Sequence, residues 1–201
     1  MEKRPGVTAV AAGERATVLP SSVESVLFLD LDGVVLPYGS GTPPKQYFQP
    51  DVRERIANPD ERKPRSFQHD WSRELMEELS ALFDSPKLQL VVNSTWSLYG
   101  VGLLHSMGVT AHNPILALEH SEPNEERRAH KVERMAQLLS AVDRPLRSLW
   151  VDDEAEAILK LGELELPTSA FVQPVGRYGL SREEFARVSQ FLRGVATEEL
   201  A

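Results

Sequence analysis

With 201 residues, the chain has room for one sizeable domain and a small insertion. It is 41% hydrophobic and 26% charged, has no cysteine and carries a formal net charge of −8. Disulfides, thiolate metal sites and cysteine nucleophiles are thereby excluded, and broad nonspecific binding to nucleic acid or anionic membranes is disfavoured. No apolar run approaches the roughly 20 residues of a membrane span. The absence of cysteine and of a secretory signal makes a reducing cytoplasm the expected setting.

Residues 1–22 are small and polar, with Glu14 and Arg15 interrupting the one apolar patch. They read as a loose tail ahead of a domain over 23–201. Short apolar runs at 25–30, 88–93 and 146–151 read as strands, and further strands are expected at 114–118 and 169–173. Helices are expected between them, at 71–83, 96–107, 125–142, 154–161 and 182–192. The first places Leu75, Leu79 and Leu82 on one stripe; the third does the same for Val132, Met135, Leu138 and Leu139. Ser181 followed by Glu184 fits a capping box for the last helix.

Strands alternating with helices point to an α/β fold with a mainly parallel sheet covered on both faces. The runs VLFL, LQLVV and LWV are continuously apolar, as strands buried on both faces require. The stretch 37–70 does not fit this alternation. It holds six prolines and many charges, and it is expected to form a flap or insertion over the end of the first strand. Arg53, Arg55, Arg62, Lys63 and Arg65 within it are nearly cancelled by Asp51, Glu54, Asp60 and Glu61, so it reads as a solvated face.

Acids fall where strands end. Asp30 and Asp32 follow Val26-Leu27-Phe28-Leu29, and Asp152 and Asp153 follow Leu149-Trp150-Val151. Ser94 and Thr95 follow Val91-Val92-Asn93. In an open parallel sheet these positions border the crevice that binds ligands. Several carboxylates in one cleft repel each other unless a cation offsets them. Mg2+, held by carboxylates, substrate phosphate and water, suits such a set. Zinc is disfavoured, because cysteine is absent and no two histidines stand at ligand spacing. A single Asp after a strand is usually a turn residue or a helix N-cap. An Asp-x-Asp-Gly-Val turn combined with a second acidic pair is far more specific.

The run Leu27-Phe28-Leu29-Asp30-Leu31-Asp32-Gly33-Val34 resembles the first motif of the haloacid dehalogenase-like (HAD) hydrolase superfamily. Val91-Val92-Asn93-Ser94 resembles its second, Lys131 after Arg127 and Arg128 its third, and Trp150-Val151-Asp152-Asp153-Glu154 its fourth. The four occur in the family's order. Ser94-Thr95-Trp96 and the run ending at Glu154 are also similar to a subgroup found in RNA-repair proteins.

The resemblance implies a Rossmann-like three-layer sandwich with little or no cap. It also implies a phosphatase rather than a dehalogenase, since Asp32 fills the position that separates the two. Asp30 would be the nucleophile, forming an aspartyl-phosphate, and Asp32 the acid and base. Ser94, with Thr95 as second choice, would donate to a phosphoryl oxygen, and Lys131 would offset negative charge. Mg2+ would be held by the Asp30 carboxylate, the Asp32 backbone carbonyl and the last acidic pair. Adjacent strand residues point to opposite faces, so Asp152 is expected to reach the metal directly, with Asp153 acting through water or orienting Lys131.

The expected partner is a phosphorylated substrate: a small molecule, a nucleic-acid end or a protein. Trp96 is expected either to pack inside or to stack on a substrate ring. His69, His105, His112, His120 and His130 show no ligand spacing. Two alternatives use the same residues: a phosphotransferase, and a non-catalytic phosphate-binding or phosphoacceptor domain. The order of the acids along the chain, Asp-x-Asp first and the adjacent pair late, argues against a phosphoacceptor domain.

Overall fold

Five consecutive buried residues, Ser25–Leu29, form strand β1. Such a run is stable only where a sheet is covered on both sides. The computed structural model, which describes residues 19–39, 42–57, 66–118, 124–162 and 171–194, shows that arrangement. After β1 come β2 (Val52–Ala57), β3 (Ser66–Trp71), α1 (Arg73–Phe83), β4 (Leu88–Val92) and α2 (Ser97–Ser106). They are followed by β5 (Leu116–Ala117), α3 (Asn124–Ser140), β6 (Arg147–Val151), α4 (Ala155–Gly162), β7 (Phe171–Val172) and α5 (Arg182–Arg193).

Five strands make one sheet in the order β5-β4-β1-β6-β7, and every pairing in it is parallel. Because side chains alternate along a strand, the central strands feed two separate cores. Leu27, Leu29, Leu90, Val92, Leu149 and Val151 face one side, with Leu75, Leu79, Leu104, Val188 and Leu192 from α1, α2 and α5. Val26, Phe28, Val91 and Trp150 face the other, with Val132 and Met135 of α3 and Ile158 of α4. This is the α/β, Rossmann-like three-layer sandwich expected from the sequence.

Residues 1–18 of the expected tail lie outside the described residues. Leu19 and Val23 are buried in the second core, and Arg144 donates to the carbonyls of Pro20 and Val23. Trp71 does not open a helix; it ends β3. Ser72 takes the N-cap position, and its hydroxyl accepts the Leu75 N–H at 3.4 Å, so α1 starts at Arg73. The capping box of Ser181 and Glu184 forms as expected.

Inside 37–70 lies an antiparallel pair that the sequence did not announce, β2 with β3. Ile56 and Trp71, near its two ends, belong to the main core. Residues 58–65 lie outside the described residues. Among the described residues, no helix is long and apolar enough to cross a membrane.

Candidate active site

Register brings the site together. Leu29 of β1 stands opposite both Val92 of β4 and Val151 of β6. The three central strands therefore end at one level, and Asp30, Asn93 and Asp152 leave the sheet side by side. After Asp30 the chain folds back tightly: the Leu31 carbonyl accepts the N–H groups of Val34, Val35 and Leu36. Gly33 supplies the positive φ (72°) that this turn needs.

Asp30 is held at both oxygens. Oδ1 accepts the Leu31 N–H at 2.7 Å, and Oδ2 accepts from Lys131 Nζ at 2.8 Å. Lys131 lies within α3 rather than at its start, is 2% exposed, and also donates to Asp152 Oδ2 at 2.6 Å. Burial alone would drain its charge, but Asp30 and Asp152 outweigh that and push its pKa up. Asp152 is fully buried, and its Oδ1 accepts the Glu154 N–H at 2.8 Å. Burial and the Asp30 charge push its pKa up, against the pull of Lys131.

Asp153 is half-buried and makes no hydrogen bond among the described residues. Burial, then the charges of Asp30, Asp152 and Glu154, raise its pKa to about 7. Its carboxylate sits where a Cβ on Gly33 or Gly176 would collide with it. Two glycines thus make the space that Asp153 occupies. One ligand atom from each of Asp30, Asp152 and Asp153 lies within 4.8 Å of the others. Asp152 and Asp153, of which one was expected to reach a metal directly, thus both face the cluster. The strand ends at Val151, so its alternation no longer separates them. Asp152, rather than Asp153, is the acid that meets Lys131. One ammonium among three partly buried carboxylates leaves negative charge uncompensated, and oxygen donors without Cys or His fit a hard divalent cation.

Asp32 is not part of that triad. Its Oδ2 accepts the indole N–H of Trp96 at 2.8 Å. Burial raises its pKa to about 6, with the Asp30 charge adding to the rise and the Trp96 bond opposing it. Trp96 precedes α2 and is 5% exposed. It packs inside and is not available as a platform for a substrate ring. The His69 ring of β3 stands edge-on to it, centroids 6.0 Å apart. Ser94 is fully buried and its Oγ lies 3.5 Å from the Trp96 backbone N–H, whereas Thr95 is half-buried.

Trp96 packs inside, one of its two expected fates, but its bond to Asp32 and its contact with His69 were not announced by the sequence, and Gly176 was likewise silent. Tyr38 is another residue missed. It is 64% exposed, and its N–H bonds the Gly176 carbonyl at 3.0 Å. Partial burial of its hydroxyl and the charges of Asp153, Asp32, Asp30 and Glu154 push its phenol pKa up, which puts it at the rim of the acids. A Tyr just beyond the first motif was the available signal.

No curated protein and no solved structure matches the chain. A family model described as "HAD domain in Swiss Army Knife RNA repair proteins" matches residues 26–185, from β1 into α5, and spans every acid named above. The chain belongs to that HAD-domain family.

Proposed function

We propose that this chain is a Mg2+-dependent phosphohydrolase that cleaves a phosphomonoester through an aspartyl-phosphate on Asp30. The observation that carries this reading is the bridge of buried Lys131 between Asp30 and Asp152, with Asp153 alongside. A structural ion pair needs one acid, not three.

Asp30 would attack phosphorus, the oxygen of the leaving group would depart with a proton from Asp32, and water would then hydrolyse the aspartyl-phosphate after giving a proton back to Asp32. Lys131 holds the Asp30 carboxylate in place and offsets charge near the transferring group. The hydroxyl of Ser94 or Thr95 would donate to a phosphoryl oxygen. Asp30, Asp153, Asp152 and the Asp32 backbone carbonyl would hold Mg2+, which supplies charge neutralisation and orientation of the phosphoryl group when bound. The family description favours a phosphorylated nucleic-acid end as substrate. A reducing cytoplasm suits a chain without cysteine.

Phosphate release from a panel of phosphomonoesters, with Mg2+ and with chelator, tests the reading. Release should require the cation and fall by about a thousandfold or more in Asp30→Asn, because a covalent step is lost. Undiminished release by Asp30→Asn would remove the nucleophile and the proposal with it.

A further inference from the structure

The indole of Trp96 is nearly buried and gives its N–H to Asp32 Oδ2 at 2.8 Å. An indole nitrogen can only donate. Oδ2 therefore accepts, and because a carbonyl oxygen accepts better than a hydroxyl oxygen, a proton carried by this carboxyl is favoured on Oδ1. The same bond sets the rotation of the carboxyl group, a torsion that is otherwise broad for Asp.

Trp96 is itself held. It precedes α2, its backbone N–H points to Ser94 Oγ, and the His69 ring packs against it edge-on, at an interplanar angle of 72°. His69 pairs with Glu54 in the β2–β3 hairpin, which Ile56 and Trp71 anchor in the core. The inserted hairpin thus reaches the acid through one aromatic contact and one hydrogen bond.

We propose that Trp96 is a positioning residue for proton transfer, and that the β2–β3 hairpin braces it through His69. The inference rests on the phosphohydrolase reading. In the first step the Oδ1 proton passes to the leaving oxygen as its bond to phosphorus breaks and the bond from Asp30 forms. In the second, Oδ1 takes a proton from water as the new oxygen–phosphorus bond forms and the bond to Asp30 breaks. Trp96 keeps its own proton throughout.

The test replaces Trp96 with 3-benzothienylalanine, which keeps the bicyclic shape but has sulfur in place of N–H. Trp96→Phe is a second variant. Hydrolysis of p-nitrophenyl phosphate, whose leaving group needs little protonation, is compared with that of a simple alkyl phosphate, which needs much. Loss of orientation should lower kcat/KM for the alkyl ester, which reports the step in which the leaving group departs, by about tenfold or more, with little change in kcat/KM for the aryl ester. In an Asp32→Asn background the Trp96 change should cost nothing further on the alkyl ester. His69→Ala should show the same leaving-group selectivity, more weakly. In the metal-free protein, the NMR signal of the Trp96 indole N–H should move upfield in Asp32→Asn.

Equal losses of kcat/KM on both esters, full additivity with Asp32→Asn, or an unmoved indole signal would each overturn the assignment to Trp96. His69→Ala acting equally on both esters, or on neither, would overturn the brace. A parent chain that releases no phosphate from any ester would overturn the phosphohydrolase reading, and this inference with it. A parent active only with Asp30 intact separates the two.

Discussion

Lys131 is as buried as the core leucines around it, and a lone ammonium there would cost several kcal/mol. It persists because two carboxylates meet it at 2.6 and 2.8 Å. Its loss should therefore be costly: Lys131→Met leaves Asp30 and Asp152 buried without their cation. Urea unfolding of the metal-free variant at pH 7 should show a loss of about 3–5 kcal/mol, the range for breaking a buried pair by removing one partner. A loss within the scatter of surface substitutions would mean the two acids find another cation or take up protons. Asp30, Asp32, Asp152 and Asp153 stood out in the sequence because acids at the ends of apolar runs break the pattern around them, whereas Lys131 was named only through the family resemblance. Trp96, His69 and Gly176 did not stand out. A tryptophan before a helix, a histidine amid charges and a glycine in a turn look the same whether or not an acid leans on them.

The β2–β3 hairpin shows how an element can escape a reading of periodicity. Val52, Glu54 and Ile56 share one face of β2, yet Glu54 interrupts the apolar alternation, and prolines stand on both sides of β2. Pairing with β3, rather than local pattern, makes it a strand. Its His69 also carries a pH dependence. Burial lowers the His69 pKa, against the opposing charge of Asp70. The folded state then binds fewer protons than the unfolded chain below the ordinary histidine range near pH 6.5, so stability from this residue is full above that range and is lost as pH falls. His69→Phe keeps a ring against Trp96 and removes the titration. Its loss of unfolding free energy between pH 7 and pH 5 should be smaller than that of the parent. An identical loss would mean that His69 protonates in the folded state without penalty.

For the whole molecule, β1 is the keel: it pairs with β4 and β6 and feeds both cores. Phe28 points into the core under α3 and α4 and is 1% exposed. Phe28→Ala should cost about 3–5 kcal/mol in denaturant unfolding. A cost below about 1 kcal/mol would show that α3 and α4 close over the gap far more freely than packed cores do.

What the amino-acid sequence determined by itself is local: continuous apolar runs that must be buried strands, helical stripes between them, and acids or hydroxyls directly after the runs. Those features depend on near neighbours and on the period of the backbone, so they survive without a three-dimensional frame. The tertiary structure alone decided the equal register that brings three strand ends to one level. It also decided the turn beyond Val151 that sends Asp152 and Asp153 into the same cluster, and the contact between Asp32 and Trp96. The Asp32–Trp96 bond joins residues 64 positions apart and the Lys131–Asp30 bond residues 101 apart, and such meetings are set by packing two cores against one sheet rather than by any local preference.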